Sequence, residues 1–141
     1  IITVDGPAGS GKGKISKYIA RKYKLVHLDS GMFYRRLAYE LDKINIKSNE
    51  KNKIKNFLKT IESLSLVKIK ALRSEKIGIL ASKIAKYEFI RSFINFQQKL
   101  VTKRPITKNG FVIDGRDIGS VVFRKAFIKL YVDVVVEKPR C

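Results

Sequence analysis

The feature that most constrains this chain is a glycine-rich turn between an apolar run and a helical pattern. Residues 1–5 read Ile-Ile-Thr-Val-Asp, which is typical of a buried strand. Residues 6–13 read Gly-Pro-Ala-Gly-Ser-Gly-Lys-Gly, and Gly6, Gly11 and Lys12 fit the phosphate-loop spacing G-x-x-x-x-G-K. Strand, loop and helix in this order predict a site for phosphate groups.

The chemistry of phosphate binding explains why these residue types are needed. Glycines allow backbone N–H groups to curl around an anion, and the N-terminus of the following helix adds a positive dipole. Lys12 can reach the outer phosphates, so the turn predicts a nucleoside triphosphate site. Gly13 stands where most phosphate loops have Ser or Thr, which is typical of nucleoside monophosphate kinases. A glycine turn without a ligand is the alternative, but the flanking strand and helix patterns disfavour it.

Size and composition predict one compact domain with a real core. The chain has 141 residues, of which 45% are hydrophobic. Because no apolar run approaches about twenty residues, we expect no membrane span. Cys141 is the only cysteine and cannot form an internal disulfide, so the sequence predicts a cytoplasmic protein. The chain starts at Ile1 and not at Met, from which we expect a trimmed N-terminus.

The net charge of +19 raises the question of nucleic-acid binding. Lysines are spread over nearly every segment, and no RNA-binding aromatic motif, Cys/His finger or helix-turn-helix accompanies them. We therefore interpret the charge mainly as a solvated surface with some attraction for phosphates, and do not expect nucleic acid as a partner.

The order of elements predicts an α/β fold with a parallel sheet. A helix over 12–23, with Ile15, Tyr18 and Ile19 facing inward, separates the first strand from a strand at 25–28. Another helix follows, with Ser30 as a candidate N-cap. This βαβα order places a ligand at the carboxyl ends of the strands. Later predicted elements are helices over 54–61, 74–85 and 88–103, and strands at 111–114 and 128–133, with 134–136 as a candidate extension.

Several predictions concern single side chains. Ser74 is expected to cap the helix over 74–85. The phenylalanines Phe89, Phe93 and Phe96 have helical spacing and are interpreted as core residues. The only histidine, His27, lies inside a strand and is interpreted as structural.

Charged residues after the strands are the candidates for chemistry. Asp114 ends a hydrophobic strand, where phosphate-loop proteins place the acid that holds Mg²⁺ through water. Arg35, Arg36 and Arg116 each follow a strand end, and a guanidinium grips phosphate bidentately. Arg73 and Arg91 lie in or near the middle helices. In a chain with 31 Lys and Arg residues, any single arginine is more often a surface residue than a site residue.

Three motifs in order resemble the bacterial cytidylate kinase family: the phosphate loop at 6–13, Leu-Asp-Ser-Gly at 28–31 with Tyr34 and Arg35, and Asp-Gly-Arg-Asp-Ile-Gly at 114–119. The stretch 72–83 and the pair Ile90-Arg91 are also similar to that family. The resemblance runs from the first strand to about Val132 and implies a three-layer α/β/α phosphate-loop fold. It implies one core over 1–141, with a small helical monophosphate-binding lobe inserted at 42–105.

The resemblance implies transfer of the γ-phosphoryl group of ATP to CMP or dCMP, with Mg²⁺, by a monomer. Arg35 and Arg116, with Lys12, would be catalytic, and Tyr34 and Ser30 would contact CMP phosphate and sugar. Ser82, Arg91 and Asp117 would read the cytosine edge. ATP would be bound by Gly6, Pro7, Ala8, Gly9, Ser10, Gly11, Lys12, Gly13 and Lys14.

Three departures from the family pattern carry further expectations. Lys14 replaces a threonine and adds a cation near the phosphates, and the segment before Leu72 is shorter than in the family. The chain stops where the family's lid and fifth strand begin, so we expect a truncated or frame-shifted kinase with little activity of its own. The alternatives are a non-catalytic basic fragment that binds nucleotides or nucleic acid, or another small-molecule kinase such as adenylate or shikimate kinase.

Overall fold

A computed structural model describes residues 1–133 of the chain, so the predicted strand extension at 134–136 lies outside the described residues. The described part contains four strands and five α-helices, with a 3-10 turn and a π-helical turn. They are β1 Ile2–Asp5, α1 Lys12–Tyr23, β2 Val26–Asp29, α2 Ser30–Lys43, α3 Lys51–Leu58, the 3-10 turn Lys70–Arg73, α4 Glu75–Ile84, α5 Glu88–Thr102, β3 Phe111–Gly115, the π-helical turn Ile118–Val122 and β4 Ile128–Tyr131.

The four strands form one parallel sheet in the order β2-β3-β1-β4. The last-but-one strand, β3, lies between the first two, and all five of its residues are buried. Ile113 is opposite both Thr3 of β1 and Leu28 of β2, so the sheet is in register across its centre. The predicted α/β class with about four parallel strands is therefore confirmed.

The packing of α1 differs from the sequence prediction. Ile15 and Tyr18 are 37% and 57% exposed, whereas Ser16 and Ala20 are buried. Small residues let α1 approach the sheet closely, and the Ser16 hydroxyl donates to the Lys12 carbonyl oxygen at 2.7 Å, which satisfies it. The inward face predicted from Ile15 and Tyr18 is thus wrong. The core beside the sheet contains Val4, Ala20, Leu25 and Val112, with Ile2, Ile19 and Val132 packed against it.

The chain divides into two compact units, one of residues 1–30 with 105–141 and one of residues 31–104. The second unit is helical, and Ser74 caps α4 as predicted, because its Oγ accepts the N–H of Ile77 at 3.3 Å. No helix within residues 1–133 combines the length and the apolar character needed to cross a bilayer. The buried residues of α2 to α5 include Leu37, Leu41, Ile54, Ile77, Ile84, Ile90 and Ile94.

The three phenylalanines of α5 do not form a core stripe, so that prediction is wrong. Phe96 is 58% exposed, and Phe89 stacks on Tyr87 with ring centroids 5.3 Å apart. Gln97 of the same helix is buried, although its side chain is polar. Its amide accepts the N–H of Leu64 at 2.9 Å and donates to the Glu62 carbonyl oxygen, so it pairs the backbone of a segment without secondary structure. Backbone hydrogen bonding thus outweighs side-chain hydrophobicity at this position.

Candidate functional site

The glycine-rich turn joins the end of β1 to the start of α1. Gly9 and Gly11 have φ angles of 76° and 87°, a left-handed conformation that glycine adopts without steric cost. Gly11 is the N-cap of α1, which has no acidic residue in its first turn. The positive end of the helix dipole therefore faces the turn without a side-chain carboxylate to neutralise it.

Lys12 lies across this turn, since its Nζ donates to the carbonyl oxygen of Pro7 at 3.3 Å. The turn is tightly packed, since a Cβ on Gly6 would lie 2.8 Å from Ser10 Oγ and would clash with the Val132 carbonyl oxygen. Ser10 Oγ is buried and has no hydrogen-bond partner within residues 1–133. A lysine ammonium, a helix N-terminus and an unpartnered hydroxyl together form an environment suited to an anion.

Asp114 is buried in β3, and its Oδ2 lies 2.5 Å from Nε2 of His27 on the neighbouring strand. The histidine interpreted as structural therefore contacts the predicted magnesium residue directly. Asp114 is next to the phosphate loop because β3 pairs with β1 and the N–H of Gly6 donates to the Gly115 carbonyl oxygen at 3.2 Å. Across residues 1–133, no group of three or more His, Cys, Asp or Glu side chains is arranged to hold a metal ion.

Arg116 and Asp117 form an exposed turn after β3. They line a cavity of about 600 Å³ together with the first residues of the phosphate loop. Asp5, which sequence reasoning missed, also lines it and accepts the N–H groups of Ile118 and Gly119. The signal available for Asp5 was the one used for Asp114, an acid at the end of a buried strand. The remaining lining residues are Gly6, Pro7, Gly119, Ser120, Lys129, Leu130 and Tyr131.

The helical unit contains the other predicted arginines. Arg35 Nη1 donates to the Leu72 carbonyl oxygen at 2.9 Å, and its guanidinium lies against Gly78, where a Cβ would be 3.0 Å from Nη2. Arg36, by contrast, pairs with Glu40 one helical turn away at 3.0 Å. Arg35 is thus held against the 3-10 turn and Gly78 of α4, whereas Arg36 pairs with Glu40 of its own helix and donates to the Val67 carbonyl oxygen at 3.4 Å.

Ser82, Arg91 and Tyr34 also belong to the helical unit. Ser82 Oγ donates to the Gly78 carbonyl oxygen at 3.1 Å. Arg91 Nη1 donates to two carbonyl oxygens that follow α4, those of Ala85 at 3.0 Å and Lys86 at 2.8 Å. Burial raises the pKa of the Tyr34 phenol, and the Arg91 guanidinium partly opposes this rise.

The predicted site residues thus fall into two sets, one in each unit. The first unit brings together the phosphate loop, Asp114, Arg116 and Asp117, and also contains Ser30. Tyr34, Arg35, Ser82 and Arg91 lie in the helical unit. The nucleotide-binding roles assigned to both sets remain predictions.

Comparison with known proteins identifies the family. The family model described as cytidylate kinase matches residues 2–140. The bifunctional pantoate ligase/cytidylate kinase of Prochlorococcus marinus strain AS9601 is 34% identical over 98% of this chain and 29% of its own length. The cytidylate kinase of Bartonella tribocorum is 38% identical over 94% of this chain and 60% of its own length. The cytidylate kinase of Fusobacterium nucleatum is 32% identical over 98% of this chain and 66% of its own length.

The chain therefore spans less than one third of the bifunctional relative and about three fifths to two thirds of the two single-function relatives. The family match nevertheless includes the phosphate loop, the Asp114–Asp117 turn and the whole helical unit. This chain belongs to the cytidylate kinase family.

Proposed function

We propose that this chain carries the nucleotide-binding core of an enzyme that transfers the γ-phosphoryl group of ATP to CMP or dCMP. The products would be ADP and CDP or dCDP. The main support is the phosphate loop at the carboxyl end of β1, with the Lys12 ammonium 3.3 Å from the Pro7 carbonyl oxygen. A lysine in this position needs only a change of rotamer to reach an anion in the loop.

ATP would be bound by residues 6–14. The left-handed Gly9 and Gly11 shape the turn, and the first turn of α1 supplies N–H groups and its dipole. Ser10 Oγ, buried without a partner in the described chain, would gain one from a phosphate oxygen or a phosphate-bound water. Lys14 adds a second ammonium next to the loop.

CMP would be bound by the arginines and by the residues suggested for its base. Arg35 and Arg116 would grip its phosphate, with Ser30 near the sugar and Ser82, Arg91 and Asp117 on the cytosine edge. Tyr34 would remain a neutral hydrogen-bond donor, because burial raises its phenol pKa above the ordinary value. Such a site catalyses transfer by alignment and charge neutralisation, without a covalent intermediate.

The residues at the strand ends fit Mg²⁺ bound through water. Asp114 offers a carboxylate next to the phosphate loop, and Mg²⁺ commonly keeps several waters and uses one or two carboxylates. Mg²⁺ bound there would neutralise negative charge on the phosphates. His27 would hold the Asp114 carboxylate in one orientation, through the Nε2–Oδ2 contact at 2.5 Å. We further infer a cytoplasmic protein, since its proposed substrates are free nucleotides, and the resemblance to the family extends this proposal to a monomer.

The test is a panel of phosphoryl acceptors: CMP, dCMP, UMP and AMP with ATP and Mg²⁺, measured as ADP release and repeated as calorimetric binding, which does not depend on turnover. We expect CMP and dCMP to bind and react far better than UMP or AMP. Preference for AMP, or binding of none of the four, would overturn the proposal. Oligonucleotide binding that ATP does not displace would favour the alternative of a basic nucleic-acid-binding protein.

A further inference from the structure

The carboxylate of Asp5 connects the end of β1 to the turn that follows β3. Its Oδ1 accepts the N–H of Ile118 at 2.7 Å, and its Oδ2 accepts the N–H of Gly119 at 2.9 Å. Both oxygens are therefore directed at backbone amides, 113 and 114 residues away in sequence. Hydrogen bonds to an ionised carboxylate are short and strong, so this pair fixes the position of the turn on β1.

The turn that Asp5 holds has an uncommon backbone. Asp117 has φ 57° and ψ 23°, a left-handed conformation that residues with a Cβ rarely adopt. Its carbonyl oxygen accepts the N–H groups of both Val121 and Val122, at 2.9 and 3.3 Å, at the start of the π-helical turn. Such conformations persist when the surroundings impose them, and they concentrate at functional sites.

Steric contact reinforces the same arrangement. A Cβ on Gly119 would lie 2.6 Å from Thr3 Oγ1, and a Cβ on Gly115 would lie 2.7 Å from Ser30 Cβ. Thr3 and Asp5 are two residues apart on β1 and so face the same side of the sheet. The π-helical turn is thus pressed onto β1 at Thr3 and bonded to it at Asp5.

We propose that Asp5 is a positioning residue that aims Arg116 and Asp117 at the monophosphate substrate. This inference rests on the proposed function, in which those two residues contact CMP. Asp5 does not touch substrate in this account: both of its oxygens bind amides, and it acts by holding the turn next to it. Because Asp5 directly precedes Gly6, its hydrogen bonds also connect the turn at Arg116 and Asp117 to the start of the phosphate loop.

The decisive variant is Asp5→Asn, which keeps the size of the side chain but turns one acceptor into an NH₂ donor facing an N–H group. Asp42→Asn is the matched control, because it makes the same chemical change at a carboxylate that pairs with the exposed Lys76 and holds no part of the turn. Calorimetry would give the dissociation constants for CMP and ATP, and amide hydrogen exchange would follow Ile118 and Gly119.

For Asp5→Asn we expect CMP affinity roughly tenfold weaker, ATP affinity within about twofold, and faster exchange at both amides, since small misplacements of binding groups are costly. Asp42→Asn should match the wild type in all three measurements. Equal losses for CMP and ATP, or unchanged CMP affinity in Asp5→Asn, would overturn the inference while leaving the proposed function intact. Wild-type protein that binds no CMP would overturn both.

Gly119→Ala provides an independent test, which decides the matter if Asp5→Asn does not fold. The added methyl group would displace the turn from Thr3, whereas the carboxylate of Asp5 is chemically unchanged. A loss selective for CMP supports the positioning role of the turn that Asp5 fixes. A loss shared equally by ATP, or none at all, overturns it.

Discussion

The two units present their hydrogen-bond donors in different ways. In the phosphate loop of the first unit, the backbone amides are donors whose directions follow from Gly9, Gly11 and the first turn of α1, and the Lys12 ammonium is a further donor. In the helical unit the donors are side chains already bonded to the unit's own backbone: Arg35 to Leu72, Arg91 to Ala85 and Lys86, and Ser82 to Gly78.

This difference indicates how much each set of hydrogen-bond donors would have to rearrange to bind an anion. Amides fixed by the backbone need little rearrangement, so an anion in the phosphate loop gains their interaction at small entropic cost. A guanidinium has five N–H donors, and the use of Nη1 on a carbonyl oxygen leaves the others available while it fixes the plane of the fork. Substitutions in the loop should therefore affect ATP, and substitutions of the held arginines should affect CMP.

The largest effect is expected for Lys12→Ala, which removes the ammonium from the phosphate loop. ATP affinity should fall about 30- to 100-fold, the size expected for a lost hydrogen bond to a charged group. Lys17→Ala is the control, because Lys17 is an exposed residue of the same helix. Calorimetric titration with ATP measures both. A similar loss in the two variants would show that general charge, and not the loop, attracts ATP.

Arg35→Lys sharpens the comparison on the helical side. A lysine retains the charge but loses the planar fork that contacts the Leu72 carbonyl oxygen and rests on Gly78. CMP affinity should weaken roughly tenfold with ATP affinity unchanged. Arg36→Lys, next in sequence but paired with Glu40, should alter neither affinity by more than about twofold. Equal effects of the two substitutions on CMP affinity would contradict the distinction between the arginines.

A smaller effect concerns the free energy of unfolding, which should change in opposite directions for substitutions at Gly11 and Gly13. Gly11→Ala forces a Cβ into a left-handed conformation and should lower the free energy of unfolding by about 1 kcal/mol. Gly13 lies inside α1 with nothing near its Cβ position, so Gly13→Ala should raise the free energy of unfolding by up to about 1 kcal/mol. Urea denaturation of both variants measures the difference. Equal shifts of the same sign would show that the left-handed conformation is not required.

The smallest expected effect is spectroscopic and concerns Tyr34. Because burial raises the pKa of its phenol above 10.0, Tyr34 should ionise at higher pH than a free tyrosine. The stability linked to this shift is fully present below pH 10 and is lost as the pH rises through the raised pKa. Absorbance of tyrosinate against pH, with Tyr34→Phe subtracted from wild type, isolates this step. A difference curve with its midpoint at or below pH 10 would contradict the burial.

Much of the fold and the phosphate loop could be predicted because both depend on local patterns. Alternating strands and helices give the parallel sheet, and glycine spacing gives the turn. The face of α1 was mispredicted because Ser16 and Ala20 owe their burial to close approach to the sheet, which hydrophobicity does not encode. The contacts of Asp5 with Ile118 and of His27 with Asp114 join residues 113 and 87 positions apart, and no local signal links such pairs.

The most direct test of the central claim is a nuclear magnetic resonance titration with a non-hydrolysable ATP analogue, followed by CMP. We predict that the analogue shifts the amide signals of Gly9, Gly11, Lys12 and Gly13 first, and that CMP then shifts the side-chain signals of Arg35 and Arg116. An analogue that leaves the loop amides unchanged while shifting signals spread over exposed lysines would contradict the account.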